Sequence, residues 1–232
     1  MKRALTQGVS LLAVGLLVLG GVQSAVASHS GHKHDHSHDH DHDHDHDHSH
    51  DHDEDIYAGY FEDSQVEDRS LSDWEGDWQS VFPYLEDGTL DEVFAHKAEQ
   101  NGEKTAEAYK AYYATGYQTD VDRIVIEGDT VTFYEEGNEG RSGEYAYDGY
   151  EILTYAAGNR GVRYVFELAE EADGLPQYIQ FSDHAISPTD ADHFHLYWGD
   201  DREALLEEVT NWPTYYPSAL GGHEIVHEMM AH

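Results

Sequence analysis

From Val121 onward the spacing of apolar residues changes from a helical period to a period of two. Before that point Leu90, Val93, Phe94, Lys97 and Ala98 recur at helical spacing, which predicts a helix over 90–100. Thr89 stands where a cap belongs and Asn101-Gly102 supplies the stop. A second helix is expected over 105–114, carrying Tyr109, Tyr112 and Tyr113. Beyond it, alternation predicts strands over 121–127 and 130–135 around Gly128-Asp129. It also predicts strands over 144–147 and 150–155 around Asp148-Gly149, a strong hairpin signal. Further strands are expected over 161–168, 177–184 and 193–198. Such a series, with short turns and no crossover helices, describes a mainly β antiparallel meander that closes into a barrel to remove its edges. Flanking helices complete the fold class. Asp200 and Glu203 form a capping box for a helix over 202–210, Trp212 to Pro217 reads as an aromatic loop, and a last helix is expected over 222–232.

The last two of these strands carry the most telling chemistry. His193 and His195 share one strand face, while Phe194, Leu196 and Trp198 take the other. His184 closes the preceding strand on the face of Tyr178, Gln180 and Ser182. Paired in a hairpin, the strands aim His184, His193 and His195 at one point, a donor set that suits zinc and leaves a fourth position open. Small barrels can hold a ligand inside, so this polar face is expected to line the interior.

The other end of the chain is equally distinctive. Met1-Lys2-Arg3, an apolar stretch over 9–22 and Ala25-Val26-Ala27 read as a secretory signal peptide over 1–27. No later segment approaches a membrane span. Residues 28–55 then alternate histidine with aspartate, after His29, through His32, His34, His36, His38, His40, His42, His44, His46, His48, His50 and His52. With no apolar residue to bury, this segment is expected to be a disordered tail. Its imidazoles and carboxylates make it an auxiliary metal-binding tract. The folded domain is then expected over 56–232.

Composition narrows the function. A formal net charge of −36 argues against nucleic acid and against anionic membrane surfaces as partners. The same acidity suits a salt-rich habitat, where counterions screen self-repulsion. There is no cysteine, so neither disulfides nor thiolates contribute, and metal chemistry is confined to histidine and carboxylate. His223-Glu224-Ile225-Val226-His227 is a literal H-E-x-x-H, yet Met230 stands where the extended protease motif needs glycine, and an accidental match is expected. His96 is read as solvated, and Asp183 as pointing away from the neighbouring imidazole.

Several segments resemble the ZinT (YodA) family of periplasmic zinc- and cadmium-binding proteins. They are Leu71 to Val81, Tyr145 to Tyr155, Gly161 to Phe166, Tyr178 to His184, the His193-Phe194-His195 pair, Asn211 to Pro217 and Glu228 to His232. The resemblance runs in order across residues 57–232 and implies a lipocalin-like (calycin) barrel with helices. It implies a zinc site on the three histidines matching His184, His193 and His195, completed by water or a variable ligand. It also implies a periplasmic location and transfer of zinc to the solute-binding protein of an ABC-type zinc importer. Some members carry a cysteine pair around the positions of Gly143 and Leu168, which this chain lacks. The expected activity is thus capture or buffering of Zn2+, with Cd2+, Ni2+ and Cu2+ accepted by the same donors. No catalytic residue is expected. Two other classes fit parts of the pattern: a zinc hydrolase or hydratase using the open position, and a carrier of an organic ligand, which would need an apolar barrel interior.

Overall fold

The computed structural model describes residues 54–231, apart from Asn138, Glu208 and Val209. The leader over 1–27 and the tail histidines His32 to His52 lie outside the described residues. Glu54 and Asp55, placed in the tail by composition, begin a helical turn over 54–57.

Eight antiparallel strands run in sequence order around a closed barrel. They are β1 (Gly76–Ser80), β2 (Val121–Glu127), β3 (Thr130–Glu135), β4 (Arg141–Thr154), β5 (Arg160–Leu168), β6 (Tyr178–Ser182), β7 (Phe194–Gly199) and β8 (Thr214–Pro217). Helices accompany them, among the described residues α1 (Phe82–Glu86), α2 (Asp91–Asn101), α3 (Ala106–Tyr117) and α4 (Gly222–Ala231). The β2–β3 hairpin forms as its alternation predicts, with Ile124 opposite Phe133 and Ile126 opposite Val131. Gly128 turns it at φ +58°. Thr105 caps α3 by accepting from the Ala108 N–H at 3.3 Å. Thr89 does not cap α2; its own N–H donates to Asp87 Oδ1.

Four expectations are corrected. Asp148-Gly149 is not a hairpin turn, because β4 runs on through it and pairs with β5 on both sides, from Tyr145 to Thr154. Tyr147 faces Phe166 and Tyr150 faces Tyr164, so two residues oppose one, and Gly149 at φ +95° makes the bulge. Trp212 to Pro217 is not simply a loop, since β8 lies within it and closes the barrel between β7 and β1. In place of the helix expected over 202–210, the described residues there form a 3-10 turn, Ala204–Leu206. Its cap is Asp201, which accepts from the Glu203 and Ala204 N–H groups, while Asp200 is turned to Gln177.

The fourth correction concerns the barrel's two faces. The interior is filled by Ile124, Ile126, Val131, Tyr164, Ile179, Phe181, Phe194, Leu196 and Tyr215. Trp74 stacks on Phe181 at 4.7 Å, and Phe181 and Phe194 meet at 5.1 Å. A barrel packed with rings has no room for an organic ligand. Gln180, Ser182 and His195 alternate with these residues and therefore point outward. The polar face is thus the outer face, and it is not simply solvated. A second cluster of Val93, Phe94, Tyr109, Tyr117, Ile225, Val226 and Tyr216 packs the helices against this side of the wall. β8 shows the division in one step, with Tyr215 in the inner cluster and Tyr216 in the outer one. A Cβ on Gly143 would meet Leu168 Cδ1 and Leu175 Cδ1 at 2.7 Å, so apolar packing occupies the place where the family resemblance implies a cysteine in some members.

Candidate metal centre

Residues of three consecutive parts of the chain meet on the outer wall. Ser182 at the end of β6 is opposite His195 on β7, and His195 is opposite Thr214 on β8. His193 lies two residues before His195, in the bend that leads into β7 rather than in the strand expected to begin there. His184 lies beyond the end of β6 and has φ +67°, the one positive φ of a non-glycine residue among the described residues. That conformation costs about 1–3 kcal/mol and is kept only where surrounding contacts enforce it. It turns the chain so that the ring returns over the wall. Ring centroids of His184, His193 and His195 are 5.6–6.1 Å apart. Their ligand nitrogens lie within 4.8 Å of one another. Tetrahedral zinc with bonds of about 2.0–2.1 Å sets its nitrogens about 3.4 Å apart, a spacing that falls within this limit.

Two tyrosines flank the trio. Tyr57 stacks on His184 at 4.4 Å, and Tyr216 lies nearly parallel to His193 at 5.0 Å. His193 is buried, at 8% exposure. Burial holds the His195 imidazole well below its ordinary pKa, helped by His184, His193 and Arg163 nearby. The neutral form that a metal requires is therefore the resting form.

The tautomer of His195 follows from its neighbour. Thr214 Oγ1 lies 2.8 Å from His195 Nδ1 and donates its own hydrogen to the Trp212 carbonyl at 2.9 Å. A hydroxyl has one proton to give, so toward His195 it accepts. Nδ1 then carries the hydrogen and Nε2 keeps the lone pair for an ion. Thr214→Val, which keeps the shape and removes the acceptor, is expected to weaken zinc binding by about 10–100-fold. Competition with a chromophoric chelator reads this, and an unchanged affinity refutes the role.

A buried ion pair holds the connection between β6 and β7. Arg69, with a fully buried side chain, donates to Asp183 Oδ1 at 2.7 Å, to Asp73 Oδ2 at 2.7 Å and to the Thr189 carbonyl at 2.8 Å. Asp73 Oδ2 also receives the Thr189 N–H, and the Asp73 carbonyl receives the Ala191 N–H at 2.8 Å. The guanidinium lies over Trp74, 4.1 Å from the ring centroid. Asp183, read from the sequence as merely pointing away, thus faces inward to Arg69 and anchors the turn that presents His184.

The other sequence candidates stay apart from the trio. His223 and His227 lie exposed on α4, and no third histidine or carboxylate joins them in a ligating group among the described residues. His96 Nε2 is 2.8 Å from Gln100 Nε2. Arg69 and Thr214 escape a local reading because Asp183 and His195 lie 114 and 19 residues away, although Arg69 and Asp73 stand four residues apart beside Trp74.

The chain is similar to known proteins. The family model described as ZinT (YodA) periplasmic lipocalin-like zinc-recruitment matches residues 52–232. The probable metal-binding protein YrpE of Bacillus subtilis (strain 168) is 75% identical over 177 residues, covering 76% of this chain and 70% of that protein. The zinc-binding lipoprotein AdcA of Streptococcus pneumoniae (strain R6) is 53% identical, covering 76% of this chain and 35% of AdcA, so the match spans about a third of that longer protein. The crystal structure of the Zn(II)-bound ZinT-like domain of S. pneumoniae AdcA superposes with a TM-score of 0.73 at 52% identity, covering 75% of this chain and 97% of that domain. With a matching family model across its whole described barrel and relatives this similar, the chain belongs to the ZinT (YodA) family.

Proposed function

We propose that the chain is an exported protein that captures or buffers zinc through His184, His193 and His195 and supports zinc uptake. The observation that carries this reading is the convergence of the three ligand nitrogens within 4.8 Å at the end of two paired strands. The zinc-bound state of the related AdcA domain supports the choice of metal. Cd2+, Ni2+ and Cu2+ suit the same donors, and selectivity among them rests on supply as much as on affinity. The tail of 28–55 would gather ions weakly and raise their concentration beside the tighter site. Transfer to the solute-binding component of an ABC importer is consistent with the zinc-recruitment description of the family. Export over 1–27 places this work outside the cytoplasm, and among the described residues no helix is long and apolar enough to cross a membrane.

A hydrolase or hydratase would need a general base beside the open position. Among the described residues no carboxylate or fourth histidine joins the trio, and Asp183 is held by Arg69. We therefore read the protein as a binder. Calorimetric zinc titration of the intact protein and of a version lacking 28–53 tests this. One tight site should survive the deletion while the weaker sites vanish; loss of the tight site with the tail overturns the reading.

Protonation provides a second test. In the folded protein the His195 pKa lies below the unfolded value of about 6.5, so between the two values the unfolded chain binds more protons. The stability contributed by this group is present above about pH 6.5 and is lost as pH falls toward the folded pKa. Zinc-bound imidazoles carry no proton on the ligating nitrogen, so zinc affinity falls in the same direction. Affinity at pH 5 should be at least about tenfold weaker than at pH 7.5. Equal affinity at both values would exclude imidazole ligation.

A further inference from the structure

A buried cation near the trio forms no ion pair with a carboxylate among the described residues. Val162 and Tyr164 point into the barrel, so Arg163 on β5 points outward, onto the face that carries Gln180, Ser182 and His195. Tyr164 is opposite Phe181, which puts Arg163 beside Ser182; Ser182 in turn is opposite His195. Arg163 and His195 therefore flank one residue from either side. The guanidinium reaches across β6 to lie over Tyr197, with its carbon 3.2 Å from the ring centroid. Tyr197 is two residues along β7 from His195 and shares its face.

Arg163 is only 2% exposed, yet its Nε and Nη1 have no hydrogen-bond partner among the described residues. Its cross-strand neighbour Glu151 is engaged elsewhere, accepting from Arg202 Nη1 at 3.0 Å. Gln180, on the same face, donates to the Arg202 carbonyl, and its Oε1 is buried without a partner. Leaving charged N–H groups buried and unbonded is costly, so such groups mark a place where something else belongs. An ion of charge +2 on three neutral imidazoles, beside a fixed guanidinium, gives a local surplus of positive charge in a covered site. A small oxyanion answers both needs. One oxygen fills the fourth position of the metal, and the other accepts from the Arg163 fork.

We infer that Arg163 and the metal held by His184, His193 and His195 together form a binding site for a small carboxylate-type anion, which completes the coordination of the captured ion. This rests on the zinc-binding reading above. It makes the affinity for the captured ion depend on the anion, so that withdrawing the anion loosens the cation. By linkage, each must tighten the other by the same factor.

The test uses the full chain with zinc and sodium acetate as the probe, against sodium perchlorate at equal ionic strength. Zinc affinity is measured by chelator competition, with acetate's own binding of free zinc allowed for, and one equivalent of cobalt(II) reports the coordination sphere by its visible spectrum. Saturating acetate should tighten binding about tenfold and change the cobalt spectrum. Arg163→Met should abolish both responses while keeping zinc binding in perchlorate, and Arg163→Lys should keep a reduced response. A wild-type protein that binds zinc but ignores acetate in both readouts overturns the inference, as does an acetate response undiminished in Arg163→Met. Should Arg163→Met not fold, Arg163→Lys decides, and a full response there also overturns it. Absence of stoichiometric zinc binding in perchlorate instead refutes the zinc reading itself, so the two failures are distinguishable.

Discussion

Replacing His184 with asparagine is expected to remove the tight zinc site, lowering affinity by at least about a hundredfold. The bound is set by the weaker effect of losing a group that only orients a ligand, about 10–100-fold. Two imidazoles remain, and they cannot hold zinc as three do. Asparagine is the informative choice because position 184 has φ +67°, a conformation asparagine tolerates and alanine does not. His184→Asn should therefore keep the stability of the zinc-free protein, whereas His184→Ala adds a cost of its own. Zinc at a hundred times its dissociation constant stabilises a folded protein by about 2.7 kcal/mol. That increment, read as a shift in thermal midpoint on adding zinc, should be present in the wild type and absent in both variants. Retention of the increment in His184→Asn would show that the ring is not a ligand.

Arg69→Met is expected to have the largest effect on stability. The side chain is fully buried, and it neutralises Asp183, whose side chain is 3% exposed, and Asp73, whose side chain is 12% exposed. Removing one partner of a buried ion pair strands the other charge and costs about 3–5 kcal/mol. Against a total of about 5–15 kcal/mol for a domain, that is a large share. The variant should also bind zinc more weakly at temperatures where it remains folded, because Asp183 fixes the turn at His184 and Thr189 lies in the connection to His193. Urea unfolding without metal measures the first effect and chelator competition the second. The double variant Arg69→Met, Asp183→Asn should regain part of the stability by removing the stranded charge, but not the affinity. A loss of less than about 1 kcal/mol in the single variant would contradict the role given to this pair.

The sequence revealed the trio more clearly than its setting. The i, i+2 spacing marks His193 and His195 as a pair, although His193 stands in the bend just before β7, and the β2–β3 hairpin follows from alternation around Gly128-Asp129. The run of short-turned strands pointed to a closed barrel and the resemblance to the ZinT family to its lipocalin-like type, while local rules misread Asp148-Gly149. The same dipeptide serves a hairpin turn or a bulge, and only the continuous pairing of β4 with β5 decides between them. β8 was hidden because Trp212, Tyr215 and Tyr216 do not alternate: Tyr215 packs into the barrel and Tyr216 packs against the helices, so both faces are apolar. For the same reason the histidine face was placed inside. Apolar Phe194 and Leu196 mark the true interior, but a helical layer outside makes a polar outer face look sheltered as well. The groups that prepare the histidines, Thr214 and Arg69, depend on contacts across 19 and 114 residues of chain, beyond the reach of any local pattern.

The most direct test of the central claim is a crystal of the full chain loaded with one equivalent of zinc and measured on both sides of the zinc absorption edge. The account requires one strong anomalous peak on the outer wall of β6 and β7, at about 2.0–2.1 Å from nitrogens of His184, His193 and His195. A principal peak elsewhere, on the exposed His223 and His227 of α4 or inside the barrel, would contradict it.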